Sequence, residues 1–208
     1  SVIRPVIDYL FLAMNGRGRI IIGDGPQTDS DFSKIVQLMG LKEIKEVYSV
    51  YKDFDIEIVN LQKEYWLVKN DIIVDKIKLQ GDPRGEITFD LGQYSYFSEI
   101  DNIPKKYYGA FYEIDETNRA HSEGHHYYSI ARSPIIADVF INIPKLKTHK
   151  KCGITANLKS LVGIATNKNL LPHYRFNSPE QGGDQFPNLT PKNRVENFLI
   201  PVVKKLLL

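Results

Sequence analysis

Val139-Phe140-Ile141-Asn142-Ile143 is apolar at all but one position and runs straight into Pro144. A strand with one wet face alternates apolar and polar side chains, whereas a strand covered on both faces does not. The run therefore predicts a strand lying deep in a parallel sheet, ended by Pro144, which has no N–H to give a ladder. Sheets of that kind are sandwiched between helices, so this short run draws the whole chain toward an α/β fold.

The rest of the sequence agrees with that frame. Val6, Ile7, Leu10, Phe11 and Met14 recur at helical spacing and Asn15-Gly16 supplies a stop. Arg19-Ile20-Ile21-Ile22 reads as a buried strand ending in the turn Gly23-Asp24-Gly25-Pro26. A second helix carrying Phe32, Ile35, Val36 and Met39, capped by Asp29 or Ser30, follows it. A further helix fits Glu43 to Tyr51. In the middle, Asp55–Asn60, Tyr65–Lys69, Val74–Leu79 and Ile87–Leu91 are strand-like, some of them antiparallel, around the turn Gly81 to Gly85. Tyr94 to Tyr128, including Tyr107, Tyr108, Phe111 and Tyr112, has no period and is expected to cross the surface. A helix is expected from about Thr155, burying Leu158, Leu161 and Val162. After a long polar loop, a closing helix from Asn193 to Leu208 is interrupted or restarted at Pro201. The expectation is a single domain over 1–208: a layered, mainly parallel sheet flanked by helices, with additional antiparallel strands in the middle of the chain.

Bulk properties exclude several function classes. Of 208 residues, 42% are hydrophobic and 25% charged, which is globular rather than disordered. The net charge of +2 leaves any positive site local and argues against a general nucleic-acid affinity. Cys152 is the only cysteine, so the chain cannot alone hold an iron–sulfur cluster or make an internal disulfide. No apolar run approaches the ~18 residues of a membrane span, and SVIRPVIDYL does not read as a signal peptide. A cytoplasmic protein with no membrane partner is expected. The start without Met and the end within an apolar run lead us to expect boundaries of an excised piece. No oligomeric state follows.

Four constellations carry chemistry. After the predicted strand comes Lys145-Leu146-Lys147-Thr148-His149-Lys150-Lys151, then Gly153, Thr155 and Lys159. Ligands of open α/β sheets bind beyond the carboxyl ends of the strands, and a following helix start favours anions. Lys147 and Lys159 would supply charge, Gly153 close backbone approach, Thr155 a cap or contact, and His149 a group titrating near neutrality. A solvated lysine loop is the bland alternative. The loop Gly23 to Asp31 brings Asp24, Asp29 and Asp31, either as ligands of a divalent cation, or a general base at Asp24, or as turn and cap chemistry. His121 and His125 have zinc spacing, but an aromatic-packed or surface histidine cluster explains them better, since Gly124 weakens the helix they need. Leu171-Pro172-His173-Tyr174-Arg175 lies in the long loop, where His173 and Arg175 would either wall an anion pocket or ride in solvent. Cys152, beside Lys151, reads as a nucleophile or, more commonly, as a packing residue.

The stretch ADVFINIPKLKTHKKCGITANLKSLVG resembles the family catalogued as domain of unknown function 362. Its signature is an apolar strand, a P-K-x-K-T-H loop and G-x-T-x-x-x-K-N-x-x-G. Pro144, Lys145, Lys147, Thr148, His149, Gly153, Thr155, Lys159 and Gly163 stand on its positions in order and without gaps. Ser160 replaces the usual Asn after the helix lysine. The loop Gly23 to Asp31 and the LPHYR segment also look like family features. Many relatives carry ferredoxin-like cysteine motifs, a property that does not extend to a chain with one cysteine. Other relatives look like proteins encoded among cell-surface polysaccharide genes, which implies a phosphorylated or carboxylated sugar as ligand.

The resulting expectation is an enzyme acting on a small anionic metabolite. Lys145, Lys147, Thr148, Gly153, Thr155, Lys159 and Arg175 would hold it; His149, His173 and Asp24 would act as acid–base groups, with or without a divalent metal. The alternatives are a non-catalytic anion-binding or scaffold module and, more weakly, nucleic-acid binding through KLKTHKK, which lacks stacking aromatics.

Overall fold

The computed structural model describes residues 2–70, 72–100, 107–109, 111, 113–149 and 151–206. Lys150, Tyr112 and the last residues of the expected closing helix lie outside them. The elements, in order, are α1 (Ile3–Ala13), β1 (Gly18–Asp24), α2 (Phe32–Leu38), α3 (Leu41–Tyr48), β2 (Phe54–Asn60), β3 (Glu64–Lys69), β4 (Ile72–Lys78), β5 (Glu86–Asp90), β6 (Tyr107–Gly109), α4 (Ile114–Ala120), β7 (Tyr127–Ala131), α5 (Ser133–Ile136), β8 (Lys147–His149), β9 (Gly153–Thr155), α6 (Asn157–Ser160), β10 (Pro172–Arg175) and α7 (Pro191–Leu206). Short 3-10 turns link several of them. Helix and strand are mixed, as expected. The described strands associate in twos: β1–β2 is parallel, while β3–β4, β6–β10 and β8–β9 are antiparallel, and β5 pairs with β7.

The chain gathers into two compact units, residues 1–86 with 131–166, and residues 87–130 with 167–208. In the first, β1 and β2 run in register from Gly18 opposite Phe54 to Asp24 opposite Asn60. Alternation sends Ile20, Ile22, Phe54, Ile56 and Ile58 to one face, where they pack with Ile7, Val36, Leu41, Ile44 and Tyr48 of α1, α2 and α3. Ile21 and Val59 belong to a second cluster with Leu61, Ala131 and Ile164. The cap of α2 is Asp31, whose Oδ1 accepts the Ser33 N–H at 2.9 Å, rather than Asp29 or Ser30.

Two expectations fail in this unit. Val139–Ile143 forms no strand: the segment is irregular, and Val139 is 72% exposed, with Phe140, Ile141 and Ile143 about half exposed. A local tie competes with a ladder there, since the Asn142 amide donates to Asn157 O (2.8 Å) and accepts from Ser160 Oγ (2.7 Å). The long helix from Thr155 is replaced by the single turn α6 and a 3-10 turn over Leu161–Ile164, and Leu158 is 86% exposed.

The second unit corrects another reading. Tyr107 and Tyr108, expected on a surface excursion, are fully buried on β6 opposite β10, in an aromatic core with Phe97, Phe176, Tyr174, His121 and His126. LPHYR is therefore largely strand, not loop. In α7, Pro201 sits inside a continuous helix instead of breaking it.

The Tyr107 hydroxyl is buried with no hydrogen-bond partner among the described residues. An unsatisfied buried hydroxyl costs free energy, so Tyr107→Phe should stabilise the fold by on the order of 1 kcal/mol. A urea denaturation midpoint no higher than that of the parent would contradict this.

Candidate functional site

The lysine segment folds as a tight hairpin. Lys147 pairs with Thr155, Thr148 with Ile154 and His149 with Gly153. The reversal is closed by Gly153 at φ +73°, a left-handed position that suits glycine. Alternation puts Lys147 and His149 on one face of β8 and Thr148 on the other. The Thr155 hydroxyl lies 3.5 Å from Lys147 O and caps no helix, because α6 starts only at Asn157. Thr155 is thus not the helix cap expected, and the helix that follows is a single turn.

One lysine side chain, with two backbone N–H groups, meets the His149 ring. The Lys159 ammonium lies 3.0 Å from His149 Nε2, while the backbone N–H groups of Lys151 and Cys152 point at Nδ1 from 3.2 and 3.4 Å. A neutral imidazole accepts at one nitrogen only, so the ring faces more donors than it can satisfy. Lys145, Lys147 and Lys159 are exposed and make no ion pair with a carboxylate among the described residues. The Cys152 thiol is exposed and donates to Ile154 O at 3.2 Å.

The aspartate loop meets the end of the same motif. Asp24 and Gly25 close β1, and the Gly25 backbone runs so near Gly163 that a Cβ on residue 25 would lie 2.0 Å from Gly163 O. Asp24 Oδ1 is 3.7 Å from where a Gly163 Cβ would be. Close backbone approach therefore explains Gly25, whereas a Cβ on residue 163 would come no nearer than 3.4 Å, and neither glycine has a positive φ. Asp31 is spent on its cap; the Ser33 hydroxyl and backbone N–H hold its carboxyl below the usual range.

His173 and Arg175 lie in the second unit on β10. His173 is exposed at a register irregularity, its ring tilted against Tyr174. Arg175 is tied to Asp184, which accepts its backbone N–H at 2.7 Å and approaches its Nε at 4.0 Å. The histidine cluster separates by burial. His121 and His126 are fully buried with Nδ1 atoms 3.1 Å apart, and His121 Nε2 donates to Leu170 O at 2.8 Å. His125 instead points outward to Asp90 Oδ2 at 2.7 Å. No group of three potential metal ligands occurs among the described residues.

The reading of the sequence missed one network. Arg84 makes a bidentate pair with Glu57 (3.0 and 2.5 Å), and Asp82 accepts from the Ser133 N–H (2.6 Å), the Ser133 hydroxyl (2.7 Å) and the Arg84 N–H (3.0 Å). Burial pushes the Asp82 carboxyl up, but the bonds from Ser133 and Arg84 outweigh it and hold it low. This turn locks the start of α5, and thus the entry to the motif segment, onto β2. The DPR turn was its one visible signal.

A family model described as Domain of unknown function (DUF362) matches residues 81–186, just over half of the chain. The match takes in the DPR turn, the hairpin, Lys159, Gly163 and LPHYR, and begins after the Gly23–Asp31 loop. No curated protein and no solved structure matches.

Gly25→Ala is expected to destabilise the first unit because neither neighbour is a side chain that can swing aside. A melting temperature unchanged from the parent would show that the backbones separate freely. A second expectation concerns acid. Bonds from His125, then from the His126 and Gly92 backbone, lower the Asp90 carboxyl to about 2. A depressed folded value means the stabilisation is present above the ordinary value of 3.8 and lost as pH falls from there through about 2. Asp90→Asn should flatten the melting temperature against pH in that window, and an unaltered acid limb would refute the assignment.

Proposed function

Because the chain belongs to the DUF362 family of domains of unknown function, we propose that its motif hairpin is a binding site for a small anionic metabolite, phosphorylated or carboxylated, on which the domain acts as an enzyme. The observation that carries this reading is the Lys159–His149 contact at 3.0 Å, set on a hairpin whose Lys145 and Lys147 have no carboxylate partner among the described residues. An ammonium and two backbone N–H groups set around a ring with too few acceptors favour a ligand that brings negative charge and oxygen acceptors. In this reading Lys147 and Lys159 grip the anion, Lys145, Thr148, Gly153 and Thr155 complete its surroundings, and His149 takes or gives a proton once Lys159 turns to the ligand. Asp24 is the further acid–base candidate. A divalent cation would join through Asp24 if the ligand is a phosphate. A sugar-derived anion is the class suggested by the family resemblance.

A non-catalytic anion-binding or scaffold module is the second reading. The full exposure of the lysines favours it, because an open site neither excludes water nor fixes a reacting geometry.

Titration calorimetry with inorganic phosphate, sugar phosphates and dicarboxylates tests the site. Lys147→Ala and Lys159→Ala should each weaken the best ligand about tenfold or more, ~1.4 kcal/mol. Raised salt should weaken it further, since the charges are exposed. Equal affinity in parent and variants would remove the hairpin as the site. Turnover of a bound anion that is lost in His149→Ala, with binding kept, separates the enzyme from the binding module.

A further inference from the structure

The most strand-like sequence of the first unit is not in a strand, and one strand edge in that unit carries no further strand among the described residues. Among them β1 pairs with β2 alone. Residues Arg19 to Gly23 have outward backbone groups with no partner among the described residues. A parallel pair standing alone is a poor sheet, because such sheets are stable when covered and extended on both sides. Residues 137–146 likewise make no backbone–backbone hydrogen bond among those described. They expose Val139, Phe140, Ile141 and Ile143 to water.

The two features are held near one another. Ala131, just before the segment, is buried against Val59 and Leu61, and Ile164, just after the motif, packs in the same cluster with Ile21 of β1. Gly163 touches Gly25 at the carboxyl end of β1. Both ends of the excursion 131–164 are thus pinned to the β1–β2 pair. The lengths agree: Arg19–Gly23 and Val139–Ile143 are each five residues, about 16 Å of strand.

We propose that Val139–Ile143 docks on the free edge of β1 as a third parallel strand, and that this docking assembles the anion site proposed above. Docked in parallel, the segment ends beside Asp24, so that Lys145, Lys147 and His149 arrive at the carboxyl ends of the strands, where ligands of open sheets bind. Pro144, which has no N–H, falls just past the last paired residue. Two forces oppose docking: the Asn142 tie to Asn157 and Ser160, and the gathering of lysine charge at one sheet edge. A bound anion cancels the second force, so it binds the docked form better and shifts the chain toward it. The site and the strand are therefore coupled, and the coupling rests on the anion reading while the docking itself does not.

Hydrogen–deuterium exchange of the full chain, with and without inorganic phosphate, tests both parts. Amides of 139–143 should exchange fast alone and about tenfold or more slowly at saturating phosphate. Ile141→Pro should abolish that slowing while β1 and β2 amides keep their protection. Phosphate binding seen by calorimetry without any slowing overturns the docking and leaves the anion site standing. If inorganic phosphate, sugar phosphates and dicarboxylates all fail to bind, the anion reading fails, and docking is judged alone in Arg19→Cys/Val139→Cys with Cys152→Ser. A short bismaleimide should bridge those cysteines within one chain if the strand reaches β1. Absence of the bridge overturns the docking.

Discussion

A parallel pair of strands has two apolar faces to hide and no hairpin to hold it together, and in the first unit nearly everything answers to that requirement. The helical face of β1–β2 is closed by α1, α2 and α3 through Ile7, Val36, Leu41, Ile44 and Tyr48. Fully burying each such side chain contributes roughly 1.5–3 kcal/mol relative to exposure. Among the described residues the opposite face packs Ile21 and Val59 with Leu61, Ala131 and Ile164, and beside them the Arg84–Glu57 pair fastens the DPR turn to β2. That pair is partly exposed and bidentate, so its value lies in fixing where the chain enters the motif segment more than in net stability.

The candidate site grows from the same frame. Its hairpin is held locally, by the β8–β9 ladder and the left-handed Gly153, and its exit is held by the backbone contact of Gly163 with Gly25. Lys145, Lys147 and Lys159 are exposed, and His149 gathers donors around it. Ser160, where the family pattern has Asn, keeps a polar contact by donating to Asn142. A hydroxyl can do this over a shorter reach than an amide, and it ties the apolar run to α6 instead of leaving it free.

Much of this was legible in the residues before any coordinates. Period and punctuation located α1, β1, α2, α3 and the strands from β2 to β5 closely, because turn residues such as Asn15-Gly16 and Gly81 to Gly85 act within a few positions. The motif segment was located too, but as a basic loop running into a helix from about Thr155, where the structure has the β8–β9 hairpin and a single helical turn from Asn157. What failed had a common cause. Tyr107 and Tyr108 were read as surface because aromatic residues without a period carry no local sign of burial; pairing with β10, more than sixty residues later, is what buries them. The histidines divided for the same reason: His121 and His126 turn into the aromatic core while His125 reaches Asp90, and spacing along the chain cannot express that.

Local chemistry, then, dictated where helices, turns and the family motif lie and which residue types gather in the hairpin, since propensity, capping and glycine geometry act within a turn or two of chain. Whether Val139–Ile143 is covered, which histidines are buried, and that Gly25 must stay bare beside Gly163 were set by long-range packing. Strand pairing and close backbone approach depend on partners far away in the chain, and an apolar run such as VFINI states a demand for burial without naming what meets it.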